Sequence, residues 1–282
     1  MGQYVTTQKG RTLFIHDTAG DRGTIIGVHG LTGNHKQLHF YQEALAAAGY
    51  RFISYDLSGR GNSGPAPEDS SIFTHAADLL DLIDRLGIRR PIFLGYSMGA
   101  YISAVAASRR QDTEALILLD GAGKADEDTR NLVLPSLSRL EKTYESRDQY
   151  TGEAKSLYRR LGVEWGPHME DAVSYEIRQE AGIWRNKAEI STVKRDFKSF
   201  YDFRPEDIFP EVRCPTLLLI ATGSLGNKGP LFKEESYAGS KELLYNVWSE
   251  TSPANHYELV FNRQPELNEK VQLFLAYKGV TP

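Results

Sequence analysis

The sequence predicts a doubly wound α/β protein, and three observations support this prediction. Short apolar runs rich in β-branched residues recur along the chain, they show no alternation of polar and apolar residues, and most are followed by a segment with helical spacing. Runs without alternation are typical of strands buried on both faces, as in a parallel sheet covered by helices on each side. Strands that alternate with helices along the chain predict a mostly parallel, doubly wound sheet.

The predicted elements follow one another closely in the first 120 residues. Two N-terminal strands turn at Lys9-Gly10 within residues 3–15. The buried strands then lie at 24–29, 51–55, 91–94, 115–119 and 215–220. Helical spacing predicts helices at 37–48, 71–86, 98–110 and 264–277, the first two of which end at glycines.

Composition and charge exclude several classes of protein and partner. The 282 residues are 40% hydrophobic and 25% charged, which is typical of a globular protein. The net charge of −4 argues against nucleic acid as a partner, because proteins that neutralise phosphates carry a basic excess. The single cysteine, Cys214, excludes an intrachain disulfide and fits a cytoplasmic location. No apolar run reaches the roughly 18 residues of a membrane-spanning helix. We expect a monomer or a homodimer.

The strand–helix alternation stops after the sixth strand. Residues 122–207 contain charged, helix-prone stretches such as 135–145 and 154–161, together with ten aromatic residues. A segment that is charged outside and aromatic inside predicts a helical cap. The sequence therefore predicts a core formed by residues 1–121 and 208–282, and a cap formed by residues 122–207.

The most informative motif lies where the strand at 91–94 runs into a helix. It reads Gly95-Tyr96-Ser97-Met98-Gly99, a G-x-S-x-G pattern. Such a tight turn needs small flanking residues, and it raises the serine above the sheet in a strained, exposed position. The start of the following helix also places a partial positive charge beside the serine. The pattern favours Ser97 as a nucleophile.

Four motifs in this order resemble the α/β-hydrolase superfamily, over nearly the whole chain. They are the H-G-L-T-G loop at 29–33, the D-x-x-G-x-G-x-S loop at 56–63, the elbow at 95–99 and Asn255-His256-Tyr257. The resemblance implies a serine hydrolase fold with a cap. It also implies that the backbone amides of Leu31 and Met98 form the oxyanion hole.

A serine hydroxyl needs a base, and that base is usually a histidine. Of the seven histidines, His256 alone follows the last strand and precedes the closing helix. The acid departs from the commonest pattern of the superfamily, since the loop at 221–229 contains no carboxylate. Haloalkane dehalogenases and some lactone hydrolases place it at the end of the preceding strand, which is Asp120 here. We prefer Asp120 and keep Glu234 as the alternative.

Two other interpretations carry less weight. The stretch 59–64 reads G-x-G-x-x-G, as in a dinucleotide-binding loop, but Pro65 and Pro67 follow it and delay the next helix. His35 and His39 are four residues apart and could share a helix face towards a metal ion, but no third ligand is apparent. We therefore expect neither a cofactor nor a metal.

The residues together predict a serine hydrolase that cleaves a carboxylic ester or lactone of a small apolar substrate through an acyl-enzyme, a carboxylesterase or lactonase of class EC 3.1.1. A serine nucleophile argues against a dehalogenase or an epoxide hydrolase. Trp165, Trp184 and Tyr96 are the predicted substrate contacts, although the cap aromatics could equally serve packing alone. The alternatives are a thioesterase or C–C bond hydrolase with the same residues, or a small-molecule receptor on the same fold.

Overall fold

An eight-stranded sheet lies at the centre of the computed structural model, which describes residues 2–277. The strands of this sheet are β1 (Gly2–Thr6), β2 (Thr12–Thr18), β3 (Thr24–Val28), β4 (Arg51–Tyr55), β5 (Ile92–Tyr96), β6 (Ala115–Leu119), β10 (Thr216–Gly223) and β11 (Val247–Asn255). Their order in the sheet is β1-β2-β4-β3-β5-β6-β10-β11, in which β1 and β2 pair antiparallel, as do β2 and β4, and the other neighbours pair parallel. The predicted mostly parallel α/β sheet is confirmed.

Helices cover the sheet on both sides. Those outside residues 122–207 are α1 (His39–Ala47), α2 (Ile72–Arg85), α3 (Met98–Arg109), α9 (Ala238–Leu243), α10 (Glu258–Phe261) and α11 (Pro265–Tyr277), while α8 (Pro205–Ile208) spans the boundary at 207. Helix α2 has a side-chain cap at its N-terminus, where the Ser71 hydroxyl accepts from the backbone N–H of Thr74 at 3.2 Å. Short 3₁₀ helices add the stretches Phe209–Glu211 and Glu234–Tyr237.

Both faces of the sheet are buried, as the unbroken apolar runs predict. In β6, all five residues are buried. Leu116 and Leu118 pack into one hydrophobic cluster, whereas Ile117 and Leu119 pack into the other. Because successive side chains of a strand point to opposite faces, this division shows one hydrophobic layer on each side of the sheet.

The central strands end together at one edge of the sheet. β5, β6, β10 and β11 are neighbours, and all four run parallel. The residues that follow β5 and β6 continue the pairing, since Ser97 N–H donates to the Leu119 carbonyl at 2.9 Å and Asp120 N–H to the Leu219 carbonyl at 2.8 Å. Ligand sites of open α/β sheets lie outside the carboxyl ends of the strands. The candidate site is therefore expected at this edge.

The segment 122–207 is inserted directly after β6, the sixth strand. We call it the inserted segment. It contains α4 (Glu127–Ser136), α5 (Arg147–Arg160), α6 (Pro167–Ser174) and α7 (Ile190–Lys198), the 3₁₀ helices Leu137–Glu141 and Ser199–Asp202, and a three-stranded antiparallel sheet of β7 (Thr143–Tyr144), β8 (Ile177–Glu180) and β9 (Ile183–Asn186). Its division from the core as a cap domain stays a prediction. Residues 1 and 278–282 of the predicted core lie outside the described residues.

Two details of the inserted segment differ from the sequence analysis. The small sheet was not predicted, because its hairpin strands are only four residues long and carry several charged, exposed residues. Ala181 and Gly182 join them with positive φ angles of 49° and 83°, which suits a tight two-residue hairpin turn. The helix-prone stretch 135–145 is also divided, since α4 ends at Ser136. Among residues 2–277, no helix is long and apolar enough to cross a membrane.

Candidate active site

The turn between β5 and α3 holds Ser97 in an uncommon backbone conformation. Its φ is 54°, in the region that side chains with a Cβ rarely adopt. The turn is that tight because strand and helix approach each other closely: a Cβ on Gly95 would overlap the Gly99 carbonyl, and a Cβ on Gly99 would overlap the Val28 carbonyl. Both positions therefore require glycine, as the predicted elbow does.

A buried imidazole–carboxylate pair lies beside this turn. His256 Nδ1 lies 2.7 Å from Asp120 Oδ2, and the two side chains are 4% and 0% exposed. The other carboxylate oxygen, Oδ1, accepts from the backbone N–H of Ala221 at 3.1 Å and from the Tyr237 hydroxyl at 2.9 Å. Burial and the charge of Asp120 raise the pKa of Tyr237 well above its ordinary value, so this hydroxyl remains a donor. The buried carboxylate is thus fully partnered, as its desolvation requires.

Ser97 and His256 line one cavity of about 420 Å³, within the range of small-molecule sites. Tyr96 also lines it, and its hydroxyl donates to the His256 carbonyl at 2.9 Å. Aliphatic and aromatic side chains from the core and the inserted segment form most of the remaining wall, among them Leu132, Val133, Leu157, Phe197, Phe200 and Phe232. The site is therefore a largely apolar cavity with a few polar groups.

The loop after β3 approaches the serine closely. A Cβ on Gly30 would lie 3.3 Å from the Ser97 Cβ, and the Gly30 N–H donates to the Gln37 side chain at 2.7 Å. Leu31, next in this loop, lines the cavity. Met98 is the first residue of α3, where backbone N–H groups have no partner within the helix. The two predicted oxyanion donors thus belong to backbone segments that adjoin Ser97.

A buried ion pair ties this loop to the inserted segment. Arg60 Nε donates to the Leu31 carbonyl at 2.9 Å, and Arg60 Nη2 lies 2.6 Å from Asp196 Oδ2 in α7. Both side chains of the pair are 0% exposed. Burial acts to raise the pKa of Asp196, but His75 and Arg60 hold it below its ordinary value. The loop at 29–33 and the inserted segment therefore share one buried charge network.

His29 braces the same loop as a neutral imidazole. Its Nδ1 donates to the Gly30 carbonyl at 2.7 Å, and its Nε2 accepts from the Leu57 N–H at 3.0 Å. Protonation of Nε2 would break the second bond. Burial lowers the pKa of His29 to about 4.

This depressed pKa predicts a loss of stability in acid. Above pH 6.5 the imidazole is neutral in the folded and unfolded chains, but as the pH falls towards 4 only the unfolded chain binds the proton. Between pH 7.5 and 4.5 the group therefore lowers the free energy of unfolding by about 2 kcal/mol. Urea unfolding at these two pH values should show a smaller drop for His29→Gln than for the wild type. Equal drops would contradict a neutral, buried His29.

Other predicted residues lie away from the cavity. Trp165 donates to Glu170 at 2.8 Å and lines a shallow surface depression, and the Trp184 ring lies against the Arg147 guanidinium, 5.0 Å from its carbon. The lining of the cavity that holds Ser97 does not include these two tryptophans, which are half-buried and pack against a hydrophobic cluster instead. Glu234 is 54% exposed and pairs with Lys241 at 3.1 Å, so it does not reach His256.

The two interpretations that the sequence disfavoured find no support in the geometry. His35 Nδ1 lies 2.9 Å from Asp56, which ties it to the loop at 56–63. Within residues 2–277, no group of three or more His, Cys, Asp or Glu side chains is placed to hold a metal ion. The helix after the glycine-rich stretch 59–64 begins only at Ile72, so its N-terminus does not adjoin those glycines.

Sequence reasoning missed three residues of this site. Tyr237 lies in a short 3₁₀ helix without periodicity. Arg139, which lines the cavity, lies in a charged stretch of a segment that the sequence predicts to be charged outside. Arg60 stands in the sequence only as a variable position of the loop motif at 56–63. The one available signal was Asp120 itself, since a carboxylate at the end of a buried strand requires nearby donors.

Comparisons with known proteins agree with this architecture. The family model described as "alpha/beta hydrolase fold" matches residues 23–261. The AB hydrolase superfamily protein YisY of Bacillus subtilis is 30% identical over 225 residues, which cover 78% of this chain and 80% of that protein.

Solved structures are similar in fold. E-2-(acetamidomethylene)succinate hydrolase superposes with a TM-score of 0.81 at 17% identity, covering 98% of this chain and 99% of that one. An esterase from Exiguobacterium antarcticum gives a TM-score of 0.74 at 17% identity, covering 98% of this chain and 100% of the esterase. At such identities the likeness shows the fold alone. With the family model and the curated relative, it leads to one conclusion: the chain belongs to the α/β-hydrolase fold family.

Proposed function

We propose that this chain is a serine hydrolase that cleaves carboxylic esters or lactones of small, largely apolar molecules. The observation that carries the proposal is the contact of 2.7 Å between His256 and the buried Asp120, in a cavity that Ser97 and His256 share. A carboxylate that holds an imidazole beside a serine is the arrangement of nucleophilic acyl transfer.

The proposed reaction has two steps. His256 takes the Ser97 hydroxyl proton while Oγ attacks the carbonyl carbon, and the oxyanion binds the backbone amides of Leu31 and Met98. The carbon–oxygen bond to the leaving group then breaks, and His256 returns the proton to the departing alkoxide. His256 then takes a proton from water as the water attacks the acyl carbon, the bond from that carbon to Ser97 Oγ breaks, and His256 returns the proton to Oγ as the acid leaves. Each oxyanion donor of this kind contributes about 10²- to 10³-fold in rate.

Asp120 has a positioning role in this scheme. Its Oδ2 fixes the His256 ring with Nδ1 towards the carboxylate, which leaves Nε2 free to accept the serine proton. The negative charge also stabilises the imidazolium that forms during the reaction. The bonds from Ala221 and Tyr237 hold the carboxylate in turn.

The test combines turnover with covalent labelling. Purified protein is assayed with p-nitrophenyl hexanoate, a δ-lactone and the matching thioester, and is then treated with a fluorophosphonate probe. We expect hydrolysis of the ester or the lactone, and a probe adduct that peptide mass spectrometry locates on Ser97. Turnover of the thioester alone would replace the proposed substrate class. No turnover together with no adduct would overturn the proposed function and favour a binding protein.

A further inference from the structure

A guanidinium forms part of the wall of this apolar cavity. Arg139, in the 3₁₀ helix Leu137–Glu141, is 22% exposed and lines the cavity with Ser97 and His256. Placing a permanent charge in a mostly apolar site is costly unless an anion or strong acceptors balance it. The position of Arg139 therefore requires a physical reason.

The acid nearest to Arg139 balances its charge poorly. Glu176 Oε2 lies 3.7 Å from Arg139 Nη1, beyond ordinary hydrogen-bond distance. Glu176 is buried, and this burial raises its pKa, while the charge of Arg139 and the Tyr150 hydroxyl act to lower it. The Tyr150 hydroxyl donates to the same oxygen. Glu176 thus shares its Oε2 oxygen with Tyr150 and lies at a long distance from the guanidinium.

The cavity itself has a positive lining. Among its described lining residues there is no aspartate or glutamate, whereas Arg139 and the exposed Lys228 both belong to the wall. Arg139 Nη2 donates to the Thr32 hydroxyl at 3.0 Å, which uses one of five guanidinium N–H donors. The guanidinium therefore has donors and charge available to a molecule bound beside Ser97.

We propose that the substrate carries a carboxylate, which binds the Arg139 guanidinium while its ester or lactone carbonyl lies at Ser97. This inference rests on the proposed function and narrows its substrate class to esters or lactones of acids with a second, free carboxyl group. A carboxylate matches the planar guanidinium with two parallel hydrogen bonds, which an apolar wall cannot offer. Lys228, exposed at the cavity wall, adds a second positive charge that attracts the same anion.

A purely structural role for Arg139 makes a different prediction. If its bond to Thr32 only holds the loop at 29–33, its loss should impair charged and neutral esters alike. The quantity that separates the two roles is therefore a ratio: kcat/KM for a carboxylated ester divided by kcat/KM for the same compound with the free carboxylate methylated.

The experiment uses the mono-p-nitrophenyl esters of glutaric, adipic and pimelic acids, with Ser97→Ala as the blank. For wild-type protein we expect a ratio of about tenfold or more for at least one chain length, as a charged hydrogen-bonded pair provides. In Arg139→Gln the ratio should fall by at least about tenfold. In Arg139→Lys the ratio should lie between those of the wild type and Arg139→Gln, because lysine keeps the positive charge but cannot donate two parallel hydrogen bonds. Arg159→Gln, in the last turn of α5 and exposed, is the matched control and should keep the wild-type ratio.

A wild-type ratio of one or less would overturn the inference, and so would an unchanged ratio in Arg139→Gln.

A binding measurement tests the proposed carboxylate site independently of turnover. Hexanoate, but not hexanamide at equal concentration and salt, should raise the Tm of the wild type and not that of Arg139→Gln. If neither an ester nor a lactone is hydrolysed and no probe adduct forms, the proposed function fails, while the hexanoate shift still supports an anion site and its absence removes that site as well.

Discussion

Ser97→Ala is expected to lower kcat for ester hydrolysis by about 10⁵-fold, to near the level of the blank. The hydroxyl is the group that would form the covalent bond, and the remaining cavity offers only binding and oxyanion donors. Alanine retains the Cβ, so the φ of 54° at this position is no more strained than in the wild type. Stopped assays at high enzyme concentration, together with loss of the fluorophosphonate adduct, measure the effect.

Ser103→Ala provides the matched control within the same helix. Ser103 is fully buried in α3, and its hydroxyl has no hydrogen-bond partner among the described residues. Removing it should leave kcat within about threefold, and stability equal or higher by about 1 kcal/mol. Retained turnover in Ser97→Ala, or a comparable loss in Ser103→Ala, would contradict the assignment of the nucleophile.

Asp120→Asn is expected to lower kcat at neutral pH by about 10⁴-fold. The amide is nearly the same size but has lost the negative charge, and its NH₂ group can turn towards His256. The imidazole would then hold its proton on the nitrogen that must accept from Ser97. KM should change far less than kcat, because Asp120 is fully buried behind His256 and does not line the cavity. Steady-state kinetics across a substrate range separates the two constants.

Glu234→Gln tests the alternative acid. This side chain is half exposed and pairs with Lys241 at the surface, so its neutralisation should change kcat by less than about threefold. Tyr237→Phe adds a graded comparison, since it removes one of the two donors to Asp120 Oδ1 but keeps the ring. A large loss in Glu234→Gln with a small one in Asp120→Asn would move the acid to Glu234.

The central strands were predictable from the sequence because burial on both faces requires unbroken runs of apolar residues. The runs at 92–96 and 115–119 contain no polar residue that could face water. The carboxyl ends of neighbouring parallel strands meet at one edge, so the approach of Ser97, Asp120 and His256 follows from the strand assignment and the two motifs that contain Ser97 and His256. The preference for Asp120 over Glu234 came from the resemblance to haloalkane dehalogenases and some lactone hydrolases, which place the acid at the end of this strand.

The walls of the cavity could not be predicted in this way. An aromatic residue in an amphipathic segment can face a cavity, a neighbouring helix or solvent, and its sequence neighbours do not distinguish these outcomes. Trp165 and Trp184 therefore lie elsewhere, whereas Phe197 and Phe200 line the site. Arg139 was not predicted as a lining residue for the opposite reason. Charged residues are usually solvated, and only long-range packing brings this one into the cavity wall.

The ion pair between Arg60 and Asp196 has a consequence for how this chain can vary or be recombined. The two residues are 136 positions apart, one in the core and one in the inserted segment. A chimera that grafts a foreign segment onto this core, without an acid at the equivalent of Asp196, would leave Arg60 with an uncompensated buried charge. Breaking such a pair costs about 3–5 kcal/mol, a large share of the stability of a typical domain. A chimera should therefore replace Arg60 and Asp196 together, and we expect the two positions to change together when this chain varies.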